Sequence, residues 1–178
     1  MNIILFGFKK CGKTYFGMKL AQRLHKDFID SDHLVEELYT AQYHETLSYR
    51  DIAQKRGFDF FCELEKQAVS LLVQKKQCVI SLGGGVMLNS ENVARLQEAG
   101  VLVHLKPSKM TLKIRMLSED IPLYFDPIHP EKSFDTLYAA RMPLYEKVPA
   151  HQINPDNKSE EEVLKELSDL AKKNKAHP

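Results

Sequence analysis

Residues 2–14, NIILFGFKKCGKT, decide the fold, because an apolar run meets a loop rich in glycine and lysine there. The run NIILF is short and continuous, which is typical of a strand buried in a parallel sheet. The loop matches G-x-x-x-x-G-K-[ST], the P-loop pattern, with Gly7, Gly12, Lys13 and Thr14 at the required places. Glycines let backbone N–H groups point into one hollow at a helix N-terminus, where anions are favoured. The stretch predicts a nucleoside triphosphate site, against the alternative of a structural glycine turn.

Short apolar runs alternate with longer helical patterns along the rest of the chain. Strands are predicted at residues 2–6, 28–30, 78–82, 101–105 and 151–153. Helices are predicted at residues 13–25, 32–39, 59–75, 89–99, 108–117, 133–147 and 159–173. Such alternation predicts an α/β sandwich with right-handed crossovers. Because there is no internal repeat and no linker, residues 1–178 are predicted to form a single domain.

The composition is typical of a globular protein, with 43% hydrophobic and 28% charged residues among 178. The formal net charge of +1 argues against a nucleic-acid-binding protein that relies on bulk positive charge. Three cysteines without CxxC spacing argue against a disulfide framework or a zinc knuckle and indicate a reducing compartment. No apolar stretch is long enough to span a bilayer. We therefore expect a cytoplasmic protein with no nucleic-acid or membrane partner.

Residues 118–133, SEDIPLYFDPIHPEKS, differ from their surroundings because they hold three prolines and no clean periodicity. They predict a long loop, and loops of that length in compact domains are usually functional lids or poorly ordered segments. We expect residues 118–133 to form a mobile lid.

Two further clusters follow predicted strands. Asp30 and Asp32 lie at the end of the second strand, and the glycines of residues 83–85 follow the third. Ligands of open α/β sheets gather at such ends, so one carboxylate could hold Mg²⁺ and the other accept a proton from a hydroxyl. Three glycines cost backbone entropy and allow a ligand to approach the main chain. The alternatives are a helix cap at Ser31 or Asp32 and a plain flexible glycine turn.

Together these elements resemble the shikimate kinases, small P-loop kinases of the nucleoside-monophosphate-kinase type. The shared motifs are the P-loop, D-[ST]-D at residues 30–32, G-x-x-x-F-x-x-x-E at 57–65, the three glycines, and R-x-P-L-Y-E at 141–146. The resemblance implies a three-layer αβα sandwich of the P-loop NTPase type, with a five-stranded parallel sheet and a mobile lid. It also implies transfer of the ATP γ-phosphoryl group to the 3-hydroxyl of shikimate, with Mg²⁺, in aromatic amino-acid biosynthesis. We expect a monomer.

On the nucleotide side, the resemblance assigns Lys13 to the phosphates and to catalysis. It assigns Thr14 and Asp30 to Mg²⁺, with Asp30 acting through water. Arg115 resembles the arginine that stacks on adenine, and Pro155 would lie on the other side of the base. Further contacts to ATP are expected from the loop residues Gly7, Lys10, Cys11, Gly12 and Tyr15.

On the acceptor side, Asp32 resembles the catalytic residue that holds and activates the substrate hydroxyl. Arg141 resembles the guanidinium that grips the substrate carboxylate, a role that suits its planar fork. The alternative for Arg141 is an ordinary surface arginine on an amphipathic helix. Further contacts to the acceptor are expected from Phe61, Cys62, Gly83, Gly84 and Gly85.

Two positions depart from the pattern that the resemblance implies. An arginine is expected directly after Phe61, as a second clamp on the shikimate carboxylate, but Cys62 stands there. A second arginine, touching the phosphates, is expected in the lid where Ile121 stands. Losing one charge-assisted contact costs about 1.5–3 kcal/mol. Either other cations compensate for the two arginines, or the acceptor differs.

The candidate compensating cations lie elsewhere in the sequence. We hypothesise that Lys10 partly replaces the missing lid charge. Arg141 would hold the carboxylate alone or with help from Arg50 or Lys55. The alternative is that Lys9, Lys10, Arg50 and Lys55 are solvated surface charges.

Two rival functions remain open at this point. One is a kinase on the same scaffold for another small hydroxy acid or polyol, such as gluconate, which Cys62 and Ile121 favour. The other is a nucleotide-binding protein without catalysis, which the retained Lys13, Asp30 and Asp32 argue against. Turnover with a panel of acceptors separates these functions from phosphorylation of shikimate.

Overall fold

The computed structural model describes residues 1–118, 121–122 and 124–173. Its strands are β1 (Asn2–Phe6), β2 (Asp27–Asp30), β3 (Cys78–Ser81), β4 (Gly100–Leu105) and β5 (His151–Ile153). Its helices are α1 (Lys13–Leu24), α2 (Ser31–Tyr43), α3 (Tyr49–Arg56), α4 (Phe58–Leu72), α5 (Ser90–Ala99), α6 (Lys109–Ser118), α7 (Pro130–Glu146) and α8 (Glu160–Lys173). Within the described ranges, no helix is both long enough and apolar enough to cross a membrane.

The strands form one parallel sheet in the order β2–β3–β1–β4–β5. In the central strand β1, Ile4 pairs with Ile80 of β3 and with Leu102 of β4. All residues of β1 are buried, which explains its continuous and largely apolar sequence. Because the strands are parallel, their carboxyl ends share one edge of the sheet, where ligands of such folds bind. The order places the ends of β1, β2 and β3 side by side at that edge.

A second, smaller apolar cluster joins α2, α3 and α4 beside the main core. It is built from the buried residues Val35, Tyr39, Ile52, Leu64 and Ala68. Ile52 is fully buried and anchors α3 in this cluster. Burying a side chain of that size stabilises its position by about 1.5–3 kcal/mol. The cluster therefore fixes α3 next to the helix that begins at the end of β2.

Helix α3 is absent from the sequence predictions, as is a turn of 3₁₀ helix at Val86–Leu88. The N-terminus of α3 is capped by Ser48, whose hydroxyl oxygen accepts a hydrogen bond from the Asp51 amide at 3.2 Å. Only Ile52 of α3 is buried, so the helix shows almost no apolar periodicity. That lack of periodicity is why the pattern missed it.

The loop predicted at residues 118–133 is shorter at both ends in the structure. Helix α6 includes Ser118, and α7 begins at Pro130. Proline suits the first turn of a helix, because the N–H group that it lacks would have no partner there. Residues 121–122 and 124–129 lie between these helices, and Glu119, Asp120 and Leu123 lie outside the described residues.

Candidate active site

The loop between β1 and α1 curls because two glycines adopt backbone angles that other residues disfavour. Gly7 and Gly12 have φ angles of 140° and 102°. A Cβ atom at Gly7 would lie 2.5 Å from the carbonyl oxygen of Leu105, so a side chain does not fit there. The loop leads directly into the N-terminus of α1, which suits the binding of phosphate groups.

Lys13 is buried at the first position of α1. Its Nζ atom donates hydrogen bonds to the carbonyl oxygens of Gly7 at 3.0 Å and of Phe8 at 2.8 Å. Nζ also lies 3.6 Å from the Sγ atom of the buried Cys11. These contacts hold the ammonium group over the loop, where the sequence predicted a phosphate-binding lysine.

Three oxygen-bearing side chains meet where β2, β3 and α1 come together. The Thr14 hydroxyl donates a hydrogen bond to Oδ2 of Asp30 at 3.0 Å. The Thr14 and Ser81 hydroxyl oxygens lie 3.4 Å apart. Oδ1 of Asp30 accepts a hydrogen bond from the Asp32 amide at 3.0 Å, so Asp30 caps α2. The cap is therefore Asp30, and neither Ser31 nor Asp32.

Asp32 lies in the first turn of α2 and faces the glycines that follow β3. A Cβ atom at Gly83 would lie 2.2 Å from Oδ1 of Asp32, so the carboxylate touches the bare backbone there. Burial, followed by the charge of Asp30, raises the pKa of Asp32 to about 6, while the Lys13 charge opposes the shift. Asp32 is thus mostly ionised at neutral pH and titrates close to it.

The glycines of residues 83–85 form a wall held by hydrogen bonds from other elements. The Gly83 amide donates to the Ser31 hydroxyl at 2.7 Å, and the Tyr145 hydroxyl donates to the Gly84 carbonyl oxygen. A Cβ atom at Gly84 would lie 3.6 Å from Nη1 of Arg141. Asp32 on α2 and Arg141 on α7 therefore both lie against this glycine wall.

This geometry occurs in a chain that is similar to known proteins over nearly its whole length. Residues 9–172 match the family model described as shikimate kinase. The shikimate kinase of Caldanaerobacter subterraneus subsp. tengcongensis is 37% identical over 167 residues, which are 93% of each chain. The chain belongs to the shikimate kinase family.

Solved structures agree with membership of the shikimate kinase family. A shikimate kinase from Acinetobacter baumannii in complex with shikimate has a TM-score of 0.84 and 26% identity, over 98% of this chain and 94% of that one. A gluconokinase from Sinorhizobium meliloti 1021, at 16% identity and a TM-score of 0.58 over 99% and 97%, shares the fold alone. The predicted fold class and the prediction of a shikimate kinase, an ATP-dependent phosphotransferase, are confirmed.

The two residues predicted to flank adenine lie near each other in this shikimate kinase. Nη1 of Arg115 donates a hydrogen bond to the Lys10 carbonyl oxygen at 3.3 Å. Although burial alone would raise the pKa of Asp156, hydrogen bonds from Ser108 and Thr111 and the charge of Arg115 lower it. Arg115 is thus close to the residue that follows Pro155, as a site between the two requires.

The Tyr15 side chain does not join the P-loop residues. Its hydroxyl donates to Glu160 of α8, and the ammonium of Lys19 lies 4.6 Å from its ring centroid. The predicted contribution of Tyr15 to ATP binding would therefore come from its backbone, at the start of α1.

Neither of the two positions that depart from the shikimate kinase pattern carries a positively charged side chain. Cys62 is half-buried on α4 next to Phe61, and burial, followed by the charge of Glu65, raises the pKa of its thiol. A raised thiol pKa suits a small packing residue better than a nucleophile. Ile121 is 44% exposed in the segment between α6 and α7.

Glu65 is a residue of this site to which the sequence analysis gave no role. It is buried on α4, and a Cβ atom at Gly85 would lie 3.4 Å from both of its carboxylate oxygens. Burial, followed by the charge of Asp32, raises the pKa of Glu65 to about 7, while Arg141 lowers it. The available signal was its helical spacing from the apolar Ala68, because an acid on the buried face of a helix indicates a functional site.

Proposed function

We propose that the chain transfers the γ-phosphoryl group of ATP to the 3-hydroxyl of shikimate. The observation that carries the proposal is the meeting of Lys13 and Thr14 with Asp32 at one edge of the sheet. Arg141 faces the same glycine wall and adds a guanidinium suited to a carboxylate. The similar protein from Acinetobacter baumannii is described in complex with shikimate.

On the donor side, the P-loop and Lys13 would hold the ATP phosphates. Phosphoryl transfer asks little covalent chemistry of the protein, so catalysis rests on positioning and on neutralising charge. Lys13 is well placed for both, because contacts with the carbonyl oxygens of Gly7 and Phe8 restrict its long side chain. Arg115 and Pro155 would flank the adenine ring.

Thr14 would bind Mg²⁺ directly, and Asp30 would bind it through water. Mg²⁺ prefers hard oxygen ligands, and in kinases it uses one or two carboxylates with substrate phosphates and water. The hydroxyl and carboxylate oxygens of Thr14 and Asp30, 3.0 Å apart, fit that requirement, and Ser81 adds a third oxygen nearby. When bound, the ion would neutralise charge on the β- and γ-phosphates.

On the acceptor side, Asp32 would orient the attacking hydroxyl and accept its proton. A pKa of about 6 keeps the carboxylate mostly ionised at pH 7, yet close enough to the operating pH to take up a proton. Its Oδ1 atom lies against Gly83, where the lack of a side chain leaves room for the carboxylate. Arg141 would hold the acceptor's carboxylate, and Phe61 and Cys62 would line the pocket from α4.

The test is a coupled assay of ADP formation with shikimate, with 3-deoxyshikimate as the matched control acceptor and with gluconate as the rival. Of the three acceptors, we expect only shikimate to be turned over. The product should carry a single phosphate, which ³¹P NMR should place on the 3-hydroxyl. The Asp32→Asn variant should lose almost all turnover. Turnover with gluconate and none with shikimate would contradict the acceptor assignment. Tight ADP binding without turnover of any acceptor would favour the non-catalytic alternative.

A further inference from the structure

The glycine wall begins where β3 continues past the end of its neighbour β2. Strand β2 ends at Asp30, which pairs with Ser81 at the end of β3. The next amide of the chain, that of Leu82, donates a hydrogen bond to the Leu5 carbonyl oxygen of β1 at 2.9 Å. Because successive amides of a strand point to opposite sides, the Gly83 amide points toward β2, which has already ended. A buried N–H group at this place needs an acceptor from outside the sheet.

Ser31, the first residue of α2, supplies that acceptor with its side chain. Its hydroxyl oxygen accepts the hydrogen bond of the Gly83 amide at 2.7 Å, and the residue is only 2% exposed. The N-cap of α2 is Asp30, whose carboxylate accepts a hydrogen bond from the Asp32 amide. The Ser31 hydroxyl therefore joins α2 to the glycine wall, while its neighbour caps the helix.

The anchored glycine is the one against which Asp32 rests. A Cβ atom at Gly83 would lie 2.2 Å from Oδ1 and 3.3 Å from Cγ of Asp32, so the carboxylate touches the Gly83 backbone. On the other side of this glycine, its carbonyl oxygen accepts a hydrogen bond from the Val86 amide at 3.3 Å. Ser31 and Val86 therefore hold Gly83 from both sides, and Gly83 in turn limits where the carboxylate can lie.

The anchor and the carboxylate are adjacent in the sequence, so one turn of α2 provides both. Consecutive side chains of an α-helix point about 100° apart, since the helix has about 3.6 residues per turn. Ser31 and Asp32 therefore reach Gly83 from different directions, one at its amide and the other at its Cα atom. The Ser31 bond thus opposes any shift of the wall away from Asp32.

We propose that Ser31 is a positioning residue of the reaction, which holds the glycine wall against the Asp32 carboxylate through the Gly83 amide. This inference rests on the proposed function, because it concerns the direction in which Asp32 faces the attacking hydroxyl. Without the Ser31 oxygen, the Gly83 amide would be buried with no partner, which favours a shift of the wall. Asp32 would then lose the surface that fixes its carboxylate, and catalysis by positioning is sensitive to displacements of about 1 Å.

The test measures ADP formation with shikimate in Ser31→Ala, Ser31→Thr and the matched control Ser168→Ala. Ser168 is 4% exposed on α8, and its hydroxyl donates a hydrogen bond to the Leu164 carbonyl oxygen at 2.7 Å, so the control loses a buried bond of the same length. We expect kcat to fall about tenfold in Ser31→Ala, less than the hundredfold effect of a full 1 Å displacement, with the KM for ATP unchanged. Ser31→Thr keeps the hydroxyl and should recover most of the rate. Ser168→Ala should keep the wild-type kcat.

Two further measurements separate positioning from a general loss of stability. Hydrogen exchange of the Gly83 amide, followed by NMR without substrates, should be about tenfold faster in Ser31→Ala and unchanged in Ser168→Ala. In a Gly83→Ala background, where a methyl group already displaces the carboxylate, Ser31→Ala should lower kcat by less than about twofold, because both changes disturb one contact. If Ser31→Ala does not fold, Ser31→Cys, which keeps a weaker acceptor, provides the same comparison.

Each other outcome contradicts a specific part of this reasoning. An unchanged kcat in Ser31→Ala, or unchanged exchange of the Gly83 amide, overturns the role of Ser31 and leaves the proposed function intact. Fully additive losses from Ser31→Ala and Gly83→Ala also overturn it, because a general loss of stability does not act through the shared contact. Absence of wild-type turnover with shikimate overturns both the proposed function and the inference.

Discussion

Replacing Gly83 with alanine adds one methyl group at the point where the wall touches Asp32. The new Cβ atom would lie 2.2 Å from Oδ1 of Asp32 and 3.6 Å from Oε1 of Glu65. The φ angle of Gly83 lies outside the left-handed region, so alanine strains the side-chain packing and not the backbone. An ordinary contact needs about 3.4 Å, so the Asp32 carboxylate must retreat by about 1 Å.

A displacement of this size has a predictable kinetic cost. Misplacing a reacting group by about 1 Å lowers the rate on the order of a hundredfold, or about 2.7 kcal/mol in activation free energy. We therefore expect kcat with shikimate to fall by about two orders of magnitude in Gly83→Ala. The KM for ATP should not change, because the three atoms nearest to the new methyl group belong to Asp32 and Glu65 and not to the P-loop.

The assay is steady-state ADP formation, with thermal unfolding to verify that the variant is folded. The matched control is Gly84→Ala, whose Cβ atom would make ordinary contacts of 3.6 Å with Arg141 and 3.7 Å with Tyr145. It is expected to alter the KM for shikimate more than kcat. If Gly83→Ala keeps kcat within about threefold of wild type, or both variants lose kcat equally, the steric reasoning is wrong.

Three further predictions concern single side chains. Because the pKa of Asp32 is raised to about 6, kcat/KM should fall as the pH drops through 6 and the carboxylate becomes protonated. A pH-rate profile in which kcat/KM falls only below pH 5 would contradict this. His104 is buried, stacks on Phe6, and has a pKa lowered to about 4 from 6.5 by burial. Unfolding then takes up a proton below pH 6.5, so stability falls toward pH 4 by up to about 3 kcal/mol. Denaturant titrations at pH 7.5 and pH 5 give the fall in the free energy of unfolding between these pH values, and this fall should be smaller in His104→Phe than in the wild type. An equal fall in both proteins would exclude His104 as the cause. Lys10→Ala should lower turnover and ATP affinity if Lys10 replaces the lid charge, and unchanged values would refute that hypothesis.

Much of the fold could be predicted because its signals are local. The bounds of β1 and β5 match the predicted residues 2–6 and 151–153. For β1 the signal is direct, because a largely apolar run before a polar loop reveals a buried strand. Helix α3 was missed because its stability depends on the Ser48 cap and on one buried residue, Ile52, which leave no periodic pattern. The start of α7 was placed too late because Pro130 was taken for part of a loop.

The candidate site shows the same contrast between features with a local sequence signal and features that depend on distant residues. The P-loop and the two aspartates were evident from spacing, but the burial of Glu65 and the raised pKa of Asp32 come from neighbours on other elements. Lys55 and Arg50 had equal standing as helpers of Arg141 in the sequence. In the structure, Lys55 pairs with Glu45, and Arg50 donates a hydrogen bond to the Tyr49 hydroxyl.

By itself, the sequence determined the P-loop, a motif that predicts a nucleoside triphosphate site, because the glycines, Lys13, Thr14 and the strand before them lie within 14 consecutive residues. Only the tertiary structure decided that Asp32 rests against Gly83, 51 positions further along the chain. That contact depends on the parallel pairing of β2 with β3 and on the packing between them, which no local pattern encodes. Local patterns identify the chemistry a residue can perform, whereas long-range packing decides which partner, distance and pKa it has.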